Sequence, residues 1–529
     1  MVPSRSKRPS ILLLIASIIV IALSDVVNSA KILCLFPTGS KSHVLGPQTL
    51  LKHLASRGHE VTMVSAFPLS KPVKNYRDVY VPIQSGFDTM MSKFMQGGSR
   101  NMFRMMPVVA KISMDYNNDT LNSPQFQQLV REERFDLAIL GYFMNGFIVG
   151  VGSLLKCPVV MYISAGFNQV VNFVGNPQEI ASVPHLFLGN KNPMTFMDLV
   201  KNTLLSVFEA GFITYIESVT KSYYYYNFPT EKGFPTYEEA KLNISLMLCN
   251  AYFTQTVPRP MLPNVIEVGG LQIKSKPDPL PQDIQAWLDG ADEHGVIFLS
   301  FGSNLKSSSL REDKFEAIIG SLGKLKQRVI WKWDTDQMPR KPANVLIGKW
   351  LPQDDILAHR NLKLFITHGG LGSITESMYH GVPIVGIPMF GDQDHNVAQV
   401  VEEGWGESVS FDNLTESALT GAIERVLGSE RYTQKIQNMA TLYKDRPQSA
   451  LDLATFWVEY VVRHKGARHL HYQGADLNRW QRSLLDVLVF LVAVPFVVFK
   501  ILGVLLRKLK KQKQKAADAN RVSKLKKKY

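Results

Sequence analysis

The apolar positions of this chain fall into one rhythm, repeated. Lys31 to Phe36 is a short apolar strand candidate, the loop Pro37 to Ser42 follows, helical spacing runs from Val44 to Arg57 until Gly58 stops it, and Glu60 to Ser65 is a second strand. That order is a βαβ unit. Buried-strand runs recur at Phe135 to Leu140 and Pro158 to Ile163, so the first half reads as a parallel sheet interrupted by a long helical, aromatic and Met-rich insertion. Pro277, Pro279 and Pro281 mark a connector at Lys274 to Gln282, because they can continue neither helix nor sheet. Beyond it the rhythm restarts, with strand candidates at Gly295–Ser300, Arg328–Trp333, Val345–Trp350, Leu362–Thr367 and Pro383–Pro388. The pattern predicts an α/β fold of two Rossmann-like, doubly wound domains. Sheets of this kind bind ligands at the carboxyl ends of their strands, which puts the expected site in the cleft between the halves.

Two further apolar runs belong to membranes. Ile11 to Leu23 follows Arg5, Lys7 and Arg8 and precedes the small Ser29 and Ala30, the three regions of a signal peptide. A retained N-terminal anchor is the alternative, although the run is short of the roughly 20 residues a spanning helix needs. Leu484 to Leu506 has that length, with Asp486 and Lys500 near its ends and Trp480 at an interfacial position. The expected divisions are a signal peptide 1–29, a first domain 30–273, the connector 274–282, a second domain 283–460, a juxtamembrane segment 461–483, a transmembrane helix 484–506 and a basic tail 507–529.

Charge sharpens this reading. The tail holds eleven Lys and Arg against Asp518, a net +10 of the chain's +14. The nearly neutral body excludes a nucleic-acid binder. Positive residues stay cytosolic, so the expected topology is single-pass type I with a lumenal body. The terminal Lys526, Lys527, Lys528 and Tyr529 resemble a dilysine retrieval signal, which points to the endoplasmic reticulum membrane; a generic basic stop-transfer flank is the alternative. In a lumenal body the triplets at Asn118, Asn243 and Asn413 become glycosylation candidates. Cys34, Cys157 and Cys249 form no disulfide framework and no zinc motif, and pairing of Cys157 with Cys249 stays open.

The segment Trp350 to Gln399 carries the chemistry. The strand Leu362–Thr367 ends in His368-Gly369-Gly370, and a helix is expected to begin near Ser373 with Glu376 in its first turn. Glycines after a strand let backbone amides approach a phosphate, and a helix N-terminus adds partial positive charge. His368 and Ser373 add donors. Glu376 can accept from a ribose diol, Trp350 offers a face to a base, and Asp392 and Gln393 follow the next strand where hexose hydroxyls would lie. A nucleotide-sugar satisfies all of these groups. His380 and His359 read as packing and surface. Asp334-Thr-Asp336, a potential metal-binding D-x-D, reads as a solvated loop, and no metal is expected.

The ordered set W-x-x-Q, H-G-G, S-x-x-E and D-Q closely resembles the signature of the UDP-glycosyltransferases, and the resemblance spans the whole chain from signal peptide to dilysine tail. The variant HGGLGS is similar to insect members. The resemblance implies a GT-B-like fold with an acceptor half followed by a donor half. It places Trp350 on uracil, Gln353 and Glu376 on the ribose, His368, Gly370, Ser373 and Asn396 at the pyrophosphate, Ser303 at the diphosphate from another strand end, and Asp392 and Gln393 on the sugar. It implies a UDP-sugar co-substrate, UDP-glucose for an insect-like member, with no other cofactor, a small lipophilic acceptor, and leaves homo-oligomerisation open. Gly372 stands where many relatives carry Asn.

His43, at the start of the first helix, can take the acceptor's proton, because imidazole titrates near lumenal pH. In many members an Asp after the Phe135 strand orients this base; Gly141 occupies that position here. Asn145 is a candidate substitute or a loop-turn residue, and Asp115 and Asp119 are remoter candidates. Three options stay open: a lone histidine base, a substitute partner, or weak catalysis, the last making the chain a lumenal binder of UDP-sugar or lipophile. The Met cluster Met90 to Met114 and Tyr223 to Tyr226 suit either core or a lipophilic cleft.

Overall fold

The structure, a computed structural model, describes residues 29–83, 96, 102–164, 169–188, 193–291 and 293–527. The expected signal peptide up to residue 28, Met90, Met91 and Met95, and the last two residues lie outside the described residues. The chain forms two compact units, one ending at His471 and the other running from Tyr472 to Tyr529.

The first unit holds two wholly parallel sheets. Strands β1 (Lys31–Phe36), β2 (Glu60–Ser65), β3 (Tyr76–Tyr80), β4 (Leu137–Tyr142), β5 (Val159–Ile163), β6 (Ile244–Cys249) and β7 (Val265–Glu267) pair in the order β3-β2-β1-β4-β5-β6-β7. Strands β8 (Val296–Ser300), β9 (Arg328–Lys332), β10 (Val345–Gly348), β11 (Leu362–Thr367), β12 (Ile384–Gly386) and β13 (Gly406–Ser408) pair as β10-β9-β8-β11-β12-β13. Both are doubly wound, as expected. Strands buried on both faces read as unbroken apolar runs, and β5 (VVMYI) and β8 (VIFLS) are buried at every residue. Four strands escape the sequence pattern: β3, a half-exposed YRDVY; β6, hidden behind the insertion; and the three-residue β7 and β13.

The helices that position the site and surface are α1 (Lys41–Ser56), α2 (Met102–Asn122), α3 (Phe196–Asn227), α4 (Gln353–Leu357), α5 (Leu371–His380), α6 (Gln393–Glu403), α7 (Ala450–Arg463) and α8 (Leu485–Lys526). Helix α1 starts three residues earlier than its apolar spacing suggests. Its Pro47 cannot donate the helical bond that the His43 carbonyl would accept, which loosens the first turn around that residue.

Residues 450–463, of which 450–460 were expected within the second domain and 461–463 in the juxtamembrane segment, complete the core of the first. Ala454, Val458 and Val461 of α7 are buried with Val44, Leu50 and Leu54 of α1, and Arg57 Nε donates to Glu459 Oε1 at 2.6 Å. His59, fully buried, accepts from Ala30 N and bonds Glu459, a structural role.

In the second unit α8 runs 42 residues, from the apolar stretch into the basic one, and is long and apolar enough to cross a membrane.

Candidate active site

The carboxyl ends of β8, β9, β10, β11 and β12 converge on one cradle. Thr367 closes β11 and is followed by His368-Gly369-Gly370, with α5 beginning at Leu371, two residues before the expected start; Glu376 therefore lies in its second turn. Gly369 adopts φ +83°, and a Cβ there would fall 2.3 Å from Val397 of α6, so the turn requires glycine. Gly302, at φ +80°, and Gly370 leave room on two sides of the His368 ring: a Cβ at either would lie 2.6 Å from it. Burial, with help from the Lys332 charge, lowers the His368 pKa to about 4, so a neutral imidazole stands at the helix N-terminus.

Glu376 is buried, and its carboxylate is gathered by amides. Gln353, the first residue of α4, donates through Nε2 to Glu376 Oε2 at 2.7 Å and to Ser373 Oγ at 3.1 Å. Gln272, beyond β7, donates to Glu376 Oε1 at 3.4 Å. Burial and then the charge of Asp354 raise the Glu376 pKa to about 7 against these hydrogen bonds. A buried carboxyl with a raised pKa, in a cleft beside a helix N-terminus, is a candidate functional position.

Trp350 sits two residues past β10, not within it, and is 53% exposed. Lys41 Nζ lies 3.6 Å and Lys332 Nζ 4.8 Å from the indole centroid. Lys332 also donates to Gly302 O at 2.6 Å, and burial followed by Lys41 repulsion lowers its pKa to about 8. Because Lys41 opens α1 and Lys332 ends β9, the two sheets' loops face each other across this cleft. Sequence reasoning missed Lys41, Lys332 and Gln272; only their places at strand or helix ends hinted at them.

On α6, Asn396 Nδ2 donates to Gly369 O (3.0 Å) and to Asp392 Oδ2 (2.9 Å), tying the helix to the glycine turn. Asp392 has its pKa raised by burial. Gln393 is nearly fully buried, and its amide oxygen accepts from Met389 N and Phe390 N, so it shapes the loop before α6. Ser303 is exposed and donates to Asn304.

His43 is half-buried, its ring edge-on to Phe143 at 5.3 Å. Its Nδ1 is buried and has no hydrogen-bond partner among the described residues. Burial lowers its pKa to about 4, leaving a neutral ring. The candidate orienters are committed elsewhere. Asn145 accepts from Phe143 N and donates to Gly141 O and Asn117 Oδ1, which is a loop-turn role. Asp115 pairs with Lys111 and accepts from the Tyr223 hydroxyl; Asp119 is exposed.

Residues 30–517 match the family model described as UDP-glucoronosyl and UDP-glucosyl transferase. The chain belongs to this family. It is 35% identical over 485 residues to UDP-glucosyltransferase 2 of Dactylopius coccus, covering 89% of this chain and 91% of that one. It is 32% identical over 499 residues to 2-hydroxyacylsphingosine 1-beta-galactosyltransferase of Rattus norvegicus, covering 92% and 90%. A solved UDP-glucose: anthocyanidin 3-O-glucosyltransferase in complex with UDP shares the fold at a TM-score of 0.54 and 14% identity, over 82% of this chain and 99% of that one. The architecture is thus the GT-B fold of glycosyltransferases, and the activity that membership carries is transfer of a sugar from a UDP-sugar. At Gly141 of this UDP-glycosyltransferase a Cβ would lie 2.5 Å from the Phe36 ring, which fills the space a carboxylate would need. At Gly372 there is room, since the nearest atom to an added Cβ is Gln272 Nε2 at 3.7 Å.

Asn118 lies within α2, its amide oxygen accepting from Asn122 and Asn227. Asn243 donates to Cys157 O at 3.1 Å, and its Ser245 is buried. Asn413 and Thr415 are exposed. His380 bonds Asp354 at 2.6 Å, in line with packing, whereas His359 is not a free surface group but pairs with Asp289 at 3.2 Å. Asp334 accepts from Ser308 N and Asp336 pairs with Lys349, so both D-x-D carboxylates have protein partners. All three cysteines are free and buried. Tyr224 is core, Tyr223 stacks on Phe147, and Tyr225 and Tyr226 face outward.

Proposed function

We propose that this UDP-glycosyltransferase is an inverting enzyme of the endoplasmic reticulum lumen, anchored as a type I membrane protein, that moves glucose from UDP-glucose to the hydroxyl of a small lipophilic acceptor. The observation that carries the donor reading is the Gln353–Glu376–Ser373 network beside the His368 turn, under the exposed face of Trp350. Uracil stacks on Trp350 in place of Lys41, the ribose hydroxyls donate to Glu376, and the diphosphate meets the α5 N-terminus, His368 and Ser373, its charge balanced by Lys332. Asp392 and Asn396 lie beside the sugar and pyrophosphate, Gln393 supports that loop, and Ser303 turns to the diphosphate from β8.

His43 takes the acceptor proton as that oxygen attacks the anomeric carbon from the face opposite the diphosphate. The bond to the diphosphate oxygen breaks, UDP leaves with the electron pair, and configuration inverts. Alignment across the cleft supplies much of the rate. Because no described residue holds Nδ1, His43 acts as a lone base steadied by packing against Phe143. The same orphaned nitrogen favours a second reading, a lumenal protein that binds UDP-sugar with little turnover. Microsomes expressing the chain should release UDP from UDP-glucose with a panel of phenols, and His43→Ala should remove this by a factor on the order of 10² to 10⁴. Turnover untouched by that change removes His43 from the mechanism; UDP binding without turnover on any donor establishes the second reading.

A further inference from the structure

Lys41 stands where helix chemistry disfavours it. It is the first residue of α1, whose first turn holds no acidic side chain and whose preceding Ser40 makes no side-chain cap, so its charge meets the positive end of the helix dipole. No carboxylate offsets that charge, and burial alone lowers its pKa. The ammonium rests instead on the Trp350 face, 3.6 Å from the ring centroid, with Lys332 Nζ 4.8 Å from the same ring. Two cations crowd one indole, and their repulsion contributes to the lowered pKa of Lys332. A lysine that breaks the local rule and meets a second cation calls for a functional reason. Lys332 also reaches the anion turn, since it donates to Gly302 O and Gly302 borders the His368 ring. The indole and the His368 turn are therefore one side chain apart.

We propose that Lys41 is a donor-binding residue supplied by the acceptor half: uracil displaces it from Trp350, and its ammonium then pairs with the diphosphate of the same nucleotide. The inference rests on the donor reading of the cradle. An ammonium on a half-exposed indole is a weak contact, whereas an ammonium on a phosphate is a charge-assisted hydrogen bond. The flexible four-carbon stem of a lysine can make that exchange. Because Lys41 precedes His43 by two residues in the same helical turn, the contact also ties the base to the donor it must serve. Uridine, which has no phosphate, must evict Lys41 without the compensating contact. The lysine therefore opposes uridine and favours UDP.

The test titrates full-length protein in micelles with UDP and with uridine, comparing wild type, Lys41→Met, which keeps the length of the stem and loses the charge, and Lys41→Arg. The expected result is UDP affinity lowered about 10-fold or more in Lys41→Met, the loss of one hydrogen bond to a charged group, with uridine affinity unchanged or higher and UDP affinity largely restored in Lys41→Arg. A second readout needs no variant: labelling of Lys41 by an amine reagent, mapped by mass spectrometry, should slow with UDP and not with uridine. UDP affinity unchanged in Lys41→Met, UDP and uridine weakened alike at an unaltered melting temperature, or labelling that uridine slows as much as UDP overturns the proposal while the donor reading stands. Wild-type protein that melts cooperatively and binds neither ligand overturns the donor reading, and the proposal with it.

Discussion

Replacing Glu376 by Gln separates stability from function at the donor site. Burial and Asp354 raise this carboxyl from 4.5 to about 7, and each pH unit is worth about 1.4 kcal/mol, so its charged form is disfavoured in the folded protein by about 3 kcal/mol. A raised pKa contributes stability that is fully present below 4.5 and is lost as pH rises to about 7. The wild type should therefore weaken across that window, while Glu376→Gln should not, and above neutrality the variant should melt a few degrees higher. The same change should weaken UDP binding roughly 10- to 150-fold, the loss expected for a hydrogen bond to a charged acceptor of about 1.5–3 kcal/mol. Ribose hydroxyls favour the carboxylate, so wild-type binding near pH 6.5 should release a proton, seen as a buffer-dependent calorimetric heat. Thermal midpoints and calorimetry on full-length protein in micelles read all of this. Identical pH dependence of stability in the two proteins, with unchanged UDP affinity, would refute the assignment.

Three further outcomes are expected. Since burial holds His43 at about 4, kcat/KM for the acceptor should stay flat down through 6.5, the ordinary imidazole value, and an acid limb there would place a normally solvated His43 in the mechanism. Gly141→Asp should cost about 1–3 kcal/mol of stability and not raise turnover, because its Cβ meets the Phe36 ring; an unchanged thermal midpoint with faster turnover would show that the ring moves freely. Of the three sequons only Asn413 turns an unengaged side chain to solvent, so Asn413→Gln alone should abolish the glycosidase-sensitive mobility shift of microsomal protein, and a shift that survives it would relocate the glycan.

The parts legible in the sequence are those written in contiguous residues. β1, β2 and β11 match their apolar runs to the residue, and the glycine turn stands after Thr367 where the sequence puts it. What stayed hidden depends on partners far apart along the chain. Gln272 reaches Glu376 across 104 positions, and Lys41 covers Trp350 from the other half. Gly141 stands where the resemblance expects a carboxylate, but only the fold shows the Phe36 ring against it. Helix α7 carries an ordinary amphipathic pattern, which says that it packs and not against which sheet. In the first half of α3, buried Asp198, Asn202 and Ser206 oppose exposed Phe196, Leu204 and Val207, which periodicity does not reveal, because a polar and an apolar face read alike whichever one is inward.

The central claim is that the cradle from Trp350 to Gln399 holds UDP, and titration calorimetry of UDP into the folded full-length protein tests it most directly. Saturable one-to-one binding, weakened at least tenfold by Trp350→Ala with the melting temperature unchanged, is the predicted result; no heat from a protein that melts cooperatively, or binding indifferent to Trp350, would contradict it.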